Sequence, residues 1–132
     1  MSAADVALTR RIFQRLADEG VEAVIDNFHP DFEVTTPPDL ASEPGTYRGH
    51  DGLRRWFDSF YEAMDKVDIE PTEIVDVGEG RVAVAFRLVA RGRSTGIELA
   101  QEAAMLVALE DGLAVRMELA ASLEQALAKA GG

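Results

Sequence analysis

The sequence predicts a single α+β domain in which three N-terminal helices pack against a curved antiparallel sheet and a short helix closes the chain. Three observations predict it. Apolar residues recur at helical spacing through the first half and alternate with a period of two in the second half. Short glycine-rich turns separate the alternating runs, which makes successive strands antiparallel neighbours. The chain has 132 residues and 47% hydrophobic content, enough for one core, and neither a repeat nor a low-complexity linker divides it. Helices followed by a strand meander is the α+β pattern, and covering one sheet face with the helical stripes leaves a cavity between the layers.

Residues 2–18 form the first helix. Ser2 and Asp5 have capping-box spacing, and Val6, Leu8, Ile12, Phe13 and Leu16 fall on one arc. Gly20 ends it. Val21, Val24, Ile25 and Phe28 mark a second, shorter helix, which His29-Pro30 stops because the residue before proline disfavours helical backbone. Asp31–Thr36 alternates as a short strand, and the turn-rich stretch Pro37–Tyr47 reads as a loop over the cavity mouth. A third helix covers Asp51–Asp65, with Leu53, Trp56, Phe57, Phe60, Tyr61 and Met64 on one side and Arg54, Arg55, Asp58 and Glu62 on the other.

Four strands follow: Ile69–Val77, Arg81–Arg91, Ile97–Leu109 and Leu113–Leu119. Gly78-Glu79-Gly80 and Glu110-Asp111-Gly112 are tight hairpins between them, and Gly92–Gly96 is a longer one. A turn also explains Gly78-x-Gly80 fully, so no phosphate loop is implied. Ser122 and Gln125 repeat the capping-box spacing ahead of Leu123, Ala126, Leu127 and Ala130, which form the last helix.

Charge and composition exclude several functions. Thirteen Lys and Arg against 24 Asp and Glu give a formal charge of −11, which repels phosphate backbones and anionic lipid, so no nucleic acid and no membrane is expected as a partner. The chain has no cysteine, which removes disulfides, thiolate metal sites and cysteine nucleophiles. It has no apolar run of about 18 residues and no leader pattern, so a cytoplasmic protein is expected. Two isolated histidines without H-E-x-x-H-type spacing give no metal site, and no cofactor is expected.

The element order, together with Tyr47-Arg48-Gly49-His50-Asp51-Gly52-Leu53-Arg54-Arg55-Trp56-Phe57 opening the third helix, resembles the SnoaL-like branch of the nuclear transport factor 2-like superfamily. The Asp-Gly hairpin before the last strand and Leu123–Gly131 at the end are similar to that pattern as well. The resemblance spans nearly the whole chain. It implies a cone-shaped α+β fold with an apolar pocket, usually a homodimer through the sheet, and no single reaction, since the superfamily holds cyclases, isomerases, hydrolases and non-catalytic binders.

The chemistries of that superfamily fail on individual residues. By the resemblance, an isomerase base would stand at Thr36, whose unactivated hydroxyl is a poor proton acceptor. The donor of the first helix would fall on or near Ile12, the acid or histidine of the penultimate strand at Met105, and the last-strand acid of an epoxide hydrolase on or near Met117. None of these three side chains carries a titratable proton.

Other residues are candidates for ligand contact. On Ile97–Leu109 the apolar row contains one amide, Gln101, which either hydrogen-bonds a ligand or sits at a strand end satisfied by backbone; Met105 lies on the same row. Trp56, Phe60 and Tyr61 are mainly core residues whose outer members can line a pocket mouth; Phe13 is a further candidate, and the resemblance, where alternation alone does not choose, sets Thr36 near the same space. Glu118 shares a face with Arg116, as either a buried acid or the partner of a sheet arginine. Glu98 and Glu102 oppose Arg91 and Arg87 as cross-strand pairs. His29 is assigned to capping a helix end and His50 to solvent. Ala83, Ala85 and Val89 give the outward sheet face apolar positions suited to pairing two subunits. Three functions fit: a binder of a small apolar or amphipathic ligand; a cofactor-independent isomerase, cyclase or hydrolase acting on a polyketide-like, steroid-like or epoxide substrate with Glu118 or Asp31 as its acid; and a dimerisation module.

Overall fold

The computed structural model describes residues 3–36, 45–61 and 64–131, and side chains for 4–36, 45–58 and 67–130. It is an α+β fold. In chain order the elements are α1 (Ala3–Glu19), α2 (Val21–Val24) with a 3-10 turn at Ile25–Asn27, β1 (Phe28–Thr36), β2 (Gly45–Arg48), α3 (Gly49–Tyr61), β3 (Met64–Gly78), β4 (Arg81–Gly92), β5 (Glu98–Glu110), β6 (Leu113–Ala120) and α4 (Leu123–Gly131). The strands make one curved, unclosed sheet in the order β2-β1-β6-β5-β4-β3.

Several boundaries differ from the sequence expectation for physical reasons. The second helix stops at Val24, and Phe28, His29 and Pro30 belong to β1. Pro30 is tolerated there because the β1–β6 register shifts between Phe28 and Glu33, so its missing N–H falls in an irregular stretch of the ladder. Thr46 and Tyr47 are not loop: β2 pairs with β1, and Glu33 faces Arg48 across the ladder with an ion pair of 3.4 Å. The rest of the expected mouth loop, 37–44, lies outside the described residues, as does Ser2 of the first capping box. Met64 and Asp65 open β3 opposite Gly92 and Arg91 instead of ending α3. The sheet is also not wholly antiparallel, because β1 and β6 run parallel.

The two turns read from Glu79-Gly80 and Asp111-Gly112 form as two-residue hairpins with positive φ at all four residues, the conformation that matches strand twist. Edge strand β3 carries Asp68, Glu70, Glu73 and Asp76, contains Pro71, and shifts register three times against β4. Charge, proline and bulges together discourage another chain from pairing along it.

Alternation divides the side chains between two layers. The inner face, with Val82, Val84 and Phe86 on β4 and Met105, Val107 and Leu109 on β5, packs against Phe13 of α1 and Leu53, Trp56 and Phe57 of α3. The outer face is lined by Ala83, Ala104, Leu106 and Ala120 and is covered by Ala126, Leu123 and Ala130 of α4. That helix begins as the sequence predicts: Gln125 N–H donates to Ser122 Oγ and Ala121 N–H to Gln125 Oε1, each at 3.2 Å. Ala83, expected to meet a second subunit, therefore meets α4 of its own chain.

Candidate functional site

The R-G-H-D-G stretch builds the start of α3 and carries no chemistry of its own. Gly49 turns the chain from β2 into the helix at φ 71°, and a Cβ there would stand 3.2 Å from the Pro30 carbonyl oxygen. At Gly52 a Cβ would stand 3.0 Å from the carbonyl carbon of Tyr47. His50 Nε2 donates to the Phe28 carbonyl at 2.7 Å, so it fastens the helix to β1 and is not the solvent-facing group expected. His29 lies in a strand and accepts Asp31 N–H at its Nδ1 over 2.9 Å, instead of capping a helix. The tight turn thus seats Leu53, Trp56 and Phe57 facing the sheet, all at most 5% exposed.

Among the described residues, two apolar voids lie between these helices and the inner face, beside a more polar space of about 160 Å³ bordered by Leu16, Gly20, Val67 and Ile69. The deep one, about 50 Å³, is bounded by Ile12, Phe13 and Leu16 of α1, Trp56 and Phe57 of α3, Val107 and Leu109 of β5, and Ala114 and Met117 of β6. Its one hydroxyl-bearing neighbour, Thr9, donates that hydroxyl to the Asp5 carbonyl at 2.8 Å, which leaves a wholly apolar lining. The outer one, about 40 Å³, is bounded by Phe86 and Leu88 of β4, Gln101 and Ala103 of β5, and Leu119 of β6. Trp56, Ile69 and Met105 border both and form the wall between them.

Trp56 is held in place. Its indole N–H donates to the Thr36 hydroxyl at 2.8 Å, both residues being at most 3% exposed. A buried indole donor needs such a partner, so Thr36, at the end of β1, serves as a positioning group and borders neither void.

The sequence candidates separate accordingly. Met105, Trp56 and Phe13 line the voids, and Gln101 stands at the exposed end of the row, bordering the outer void. The predicted row Leu99, Gln101, Ala103, Met105, Val107, Leu109 is the inner face, as its register against Leu88, Phe86 and Val84 requires. Glu118 is placed on the outer face, opposite Leu106, with Lys129 of α4 at 4.0 Å rather than a sheet arginine. The side chains of Phe60 and Tyr61 lie outside the described residues. Arg87 stands opposite Glu102 and Arg91 opposite Glu98 in the ladder, the register expected, without an ion pair closing between either couple. Ile12 and Met117, positions where the resemblance would set a donor and an acid, both border the deep void. Sequence reasoning missed Ile69 as a wall residue; its place in the alternation of β3 was the available signal. Ala114 was missed too, because a register shift between Ala108 and Leu109 breaks strict alternation on β6.

Among the described residues, no carboxylate, histidine or basic side chain borders either void, and no group of three His, Asp or Glu could hold a metal ion. Charge concentrates outside. Arg54 of α3 donates to both carboxylate oxygens of Glu22 at 2.7 and 3.1 Å and to Asp51 at 3.0 Å. The hydrogen bond from Arg54 holds the Glu22 carboxyl below the usual carboxylate range and raises Arg54 in turn. No described helix is long and apolar enough to cross a membrane.

The family model of the SnoaL-like domain matches residues 9–117. The chain belongs to the SnoaL-like family. No curated protein matches it by sequence. Among solved structures it is similar to TerC co-crystallised with polyporic acid, at TM-score 0.78 and 18% identity over 97% of this chain and 98% of that one. It is similar to an NTF2-like protein from Burkholderia thailandensis E264, at TM-score 0.76 and 21% identity over 97% of both chains. A protein from Jannaschia sp. CCS1 assigned as a SnoaL-like polyketide cyclase aligns at TM-score 0.74 and 17% identity over 89% of this chain and 85% of that one. At these identities the likeness is one of fold, and it agrees with the expected cone-like sheet.

Proposed function

We propose that this SnoaL-like chain binds a small, flat, mainly apolar molecule between α1, α3 and the inner sheet face, with one polar group of the ligand meeting Gln101. The observation that carries this reading is the row on β5: an exposed amide at Gln101 leads through Ala103 and Met105 into a lining without a polar atom. Apolar walls with one polar group at the end are the usual composition of a small-molecule site. That TerC was co-crystallised with polyporic acid supports it by analogy of fold.

An enzyme of isomerase, cyclase or hydrolase type is the second reading. Among the described residues it lacks a proton carrier, because Glu118 faces α4 and Asp31 borders neither void. Association through the sheet fits the part of the outer face around Val89 and Ala100, where facing Arg–Glu pairs flank apolar residues.

The test uses the chain's single tryptophan, which stands in the wall between the voids. Titration with 1,4-naphthoquinone is expected to quench Trp56 emission saturably, and the absence of cysteine removes thiol addition as a source of signal loss. Quenching that rises linearly without saturation would refute the site.

A further inference from the structure

The two voids are too small, separately, for the ligand proposed above. An apolar cavity of roughly 150 Å³ takes up benzene, whereas these measure about 50 and 40 Å³. Together they still fall short of that, so a ring can enter only where the side chains between them move and give up volume of their own, and the nature of the three wall residues decides what fits. Trp56 is pinned by its hydrogen bond to Thr36. Ile69 is β-branched, and such side chains are stiff at χ1 in a strand. Met105 is unbranched, with three rotatable bonds, and adapts to irregular space.

Strand geometry places Met105 at the division. Along the inner row of β5, Gln101 and Ala103 border only the outer void, Val107 and Leu109 border only the deep void, and Met105 between them borders both. Residues two apart on a strand are separated by about 6.6 Å, so one side chain spans the step from one void to the other. Its ladder partners, Val84 on β4 and Leu119 on β6, are branched residues that fix the sides of the slot. Ala103 is the smallest inner residue next to it, and it leaves room on the outer side.

We propose that Met105 is the specificity-determining residue of the site: a movable partition whose displacement joins the two voids and whose size sets how many fused rings the joined space accepts. This inference rests on the binding reading above. No atom of Met105 takes part in chemistry; it acts by occupying or vacating volume.

The experiment compares wild type, Met105→Ala, Met105→Val and Leu119→Ala in titrations with two-ring 1,4-naphthoquinone and three-ring 9,10-phenanthrenequinone, read by Trp56 quenching. Circular dichroism melts establish which variants are folded. Leu119 borders only the outer void, so Leu119→Ala enlarges space without joining the two. Met105→Ala, which removes three heavy atoms, is expected to shift the affinity ratio toward the three-ring quinone by about tenfold or more, tenfold being the low end for a single methylene in an apolar pocket. Met105→Val, the safer variant for folding, is expected to shift it in the same direction by less. Leu119→Ala is expected to leave the ratio within about twofold of wild type.

An equal shift in Met105→Ala and Leu119→Ala, or no shift in either with saturable binding to wild type, overturns the partition and leaves the binding reading intact. Binding to Met105→Ala with none to wild type upholds the partition and overturns the binding reading for the natural chain. No binding to any folded protein overturns both.

Discussion

The two faces of the central strands are built from the same alternation, yet they pack differently. On the outer face Ala83, Ala104 and Ala120 meet Ala126 of α4, small residue against small residue, and all four are at most 2% exposed. On the inner face Val84, Phe86, Met105 and Val107 meet Phe13, Trp56 and Phe57, and the two voids lie there. Short side chains let a helix approach the sheet closely, so little space is left to fill. Large, rigid side chains on a concave surface leave gaps that their shapes cannot close. Both faces are mainly apolar where a helix covers them; there size, more than polarity, separates the structural layer from the one with room for a guest.

Methyl additions on opposite faces put this to the largest test. Ala104→Leu places extra carbon under α4 with no space to take it, and overpacking of this kind is expected to cost about 1–3 kcal/mol. Ala114→Val adds carbon at the edge of the deep void and is expected to be stabilising by roughly 0.5–1 kcal/mol, as cavity filling commonly is. Denaturant midpoints at unchanged m-value read the difference. Equal losses at both sites would break the distinction between the faces.

The Trp56–Thr36 hydrogen bond sharpens the comparison from the inner side. Thr36→Val keeps the shape and removes the hydroxyl that accepts from the buried Trp56 indole N–H, and is expected to cost about 1–2 kcal/mol. Thr36→Ser, which keeps the acceptor, is expected to retain more of the native Trp56 emission. If Thr36→Val were neutral in stability and in emission, Trp56 would not be a fixed wall and the voids could merge without Met105.

The inner row was legible in the sequence because burial on one face forces a period of two, and Gln101 through Leu109 keep it without a break. The same rule failed where the backbone departs from it. β2 is four residues, Gly45–Arg48, too short and too polar for alternation to register. Phe28-His29-Pro30 read as a helix end because proline usually stops a helix, and its acceptance at an irregularity of β1 depends on pairing with β6, far along the chain. Glu118 could not be assigned to a face locally either. Met117 and Leu119 on one face and Ala120 on the face of Glu118 make both faces of β6 partly apolar, and only the helix that packs on one of them decides. Alternation could set the wall residue Ile69 on one face of β3 but not beside Trp56 and Met105, which is a tertiary fact.

The smallest expected effect lies at the exposed junction of α2 and α3, where Arg54 bridges Glu22 and Asp51. The folded Glu22 carboxyl sits below its ordinary value, chiefly through the hydrogen bond from Arg54. A depressed carboxylate contributes stability that is present above its unfolded pKa and lost as pH falls through the folded one. Wild type is therefore expected to exceed Arg54→Met in stability at neutral pH, with the gap narrowing as pH is lowered through and below the carboxylate range. Both groups face water, where such pairs contribute little and salt screens them, so high salt should shrink the gap as well. Parallel denaturation series of the two proteins across that pH range check it. A gap that stays constant with pH and salt would mean that Arg54 acts through the packing of its aliphatic stem on α3, and the charged shell would then have no part in holding the helices over the inner face.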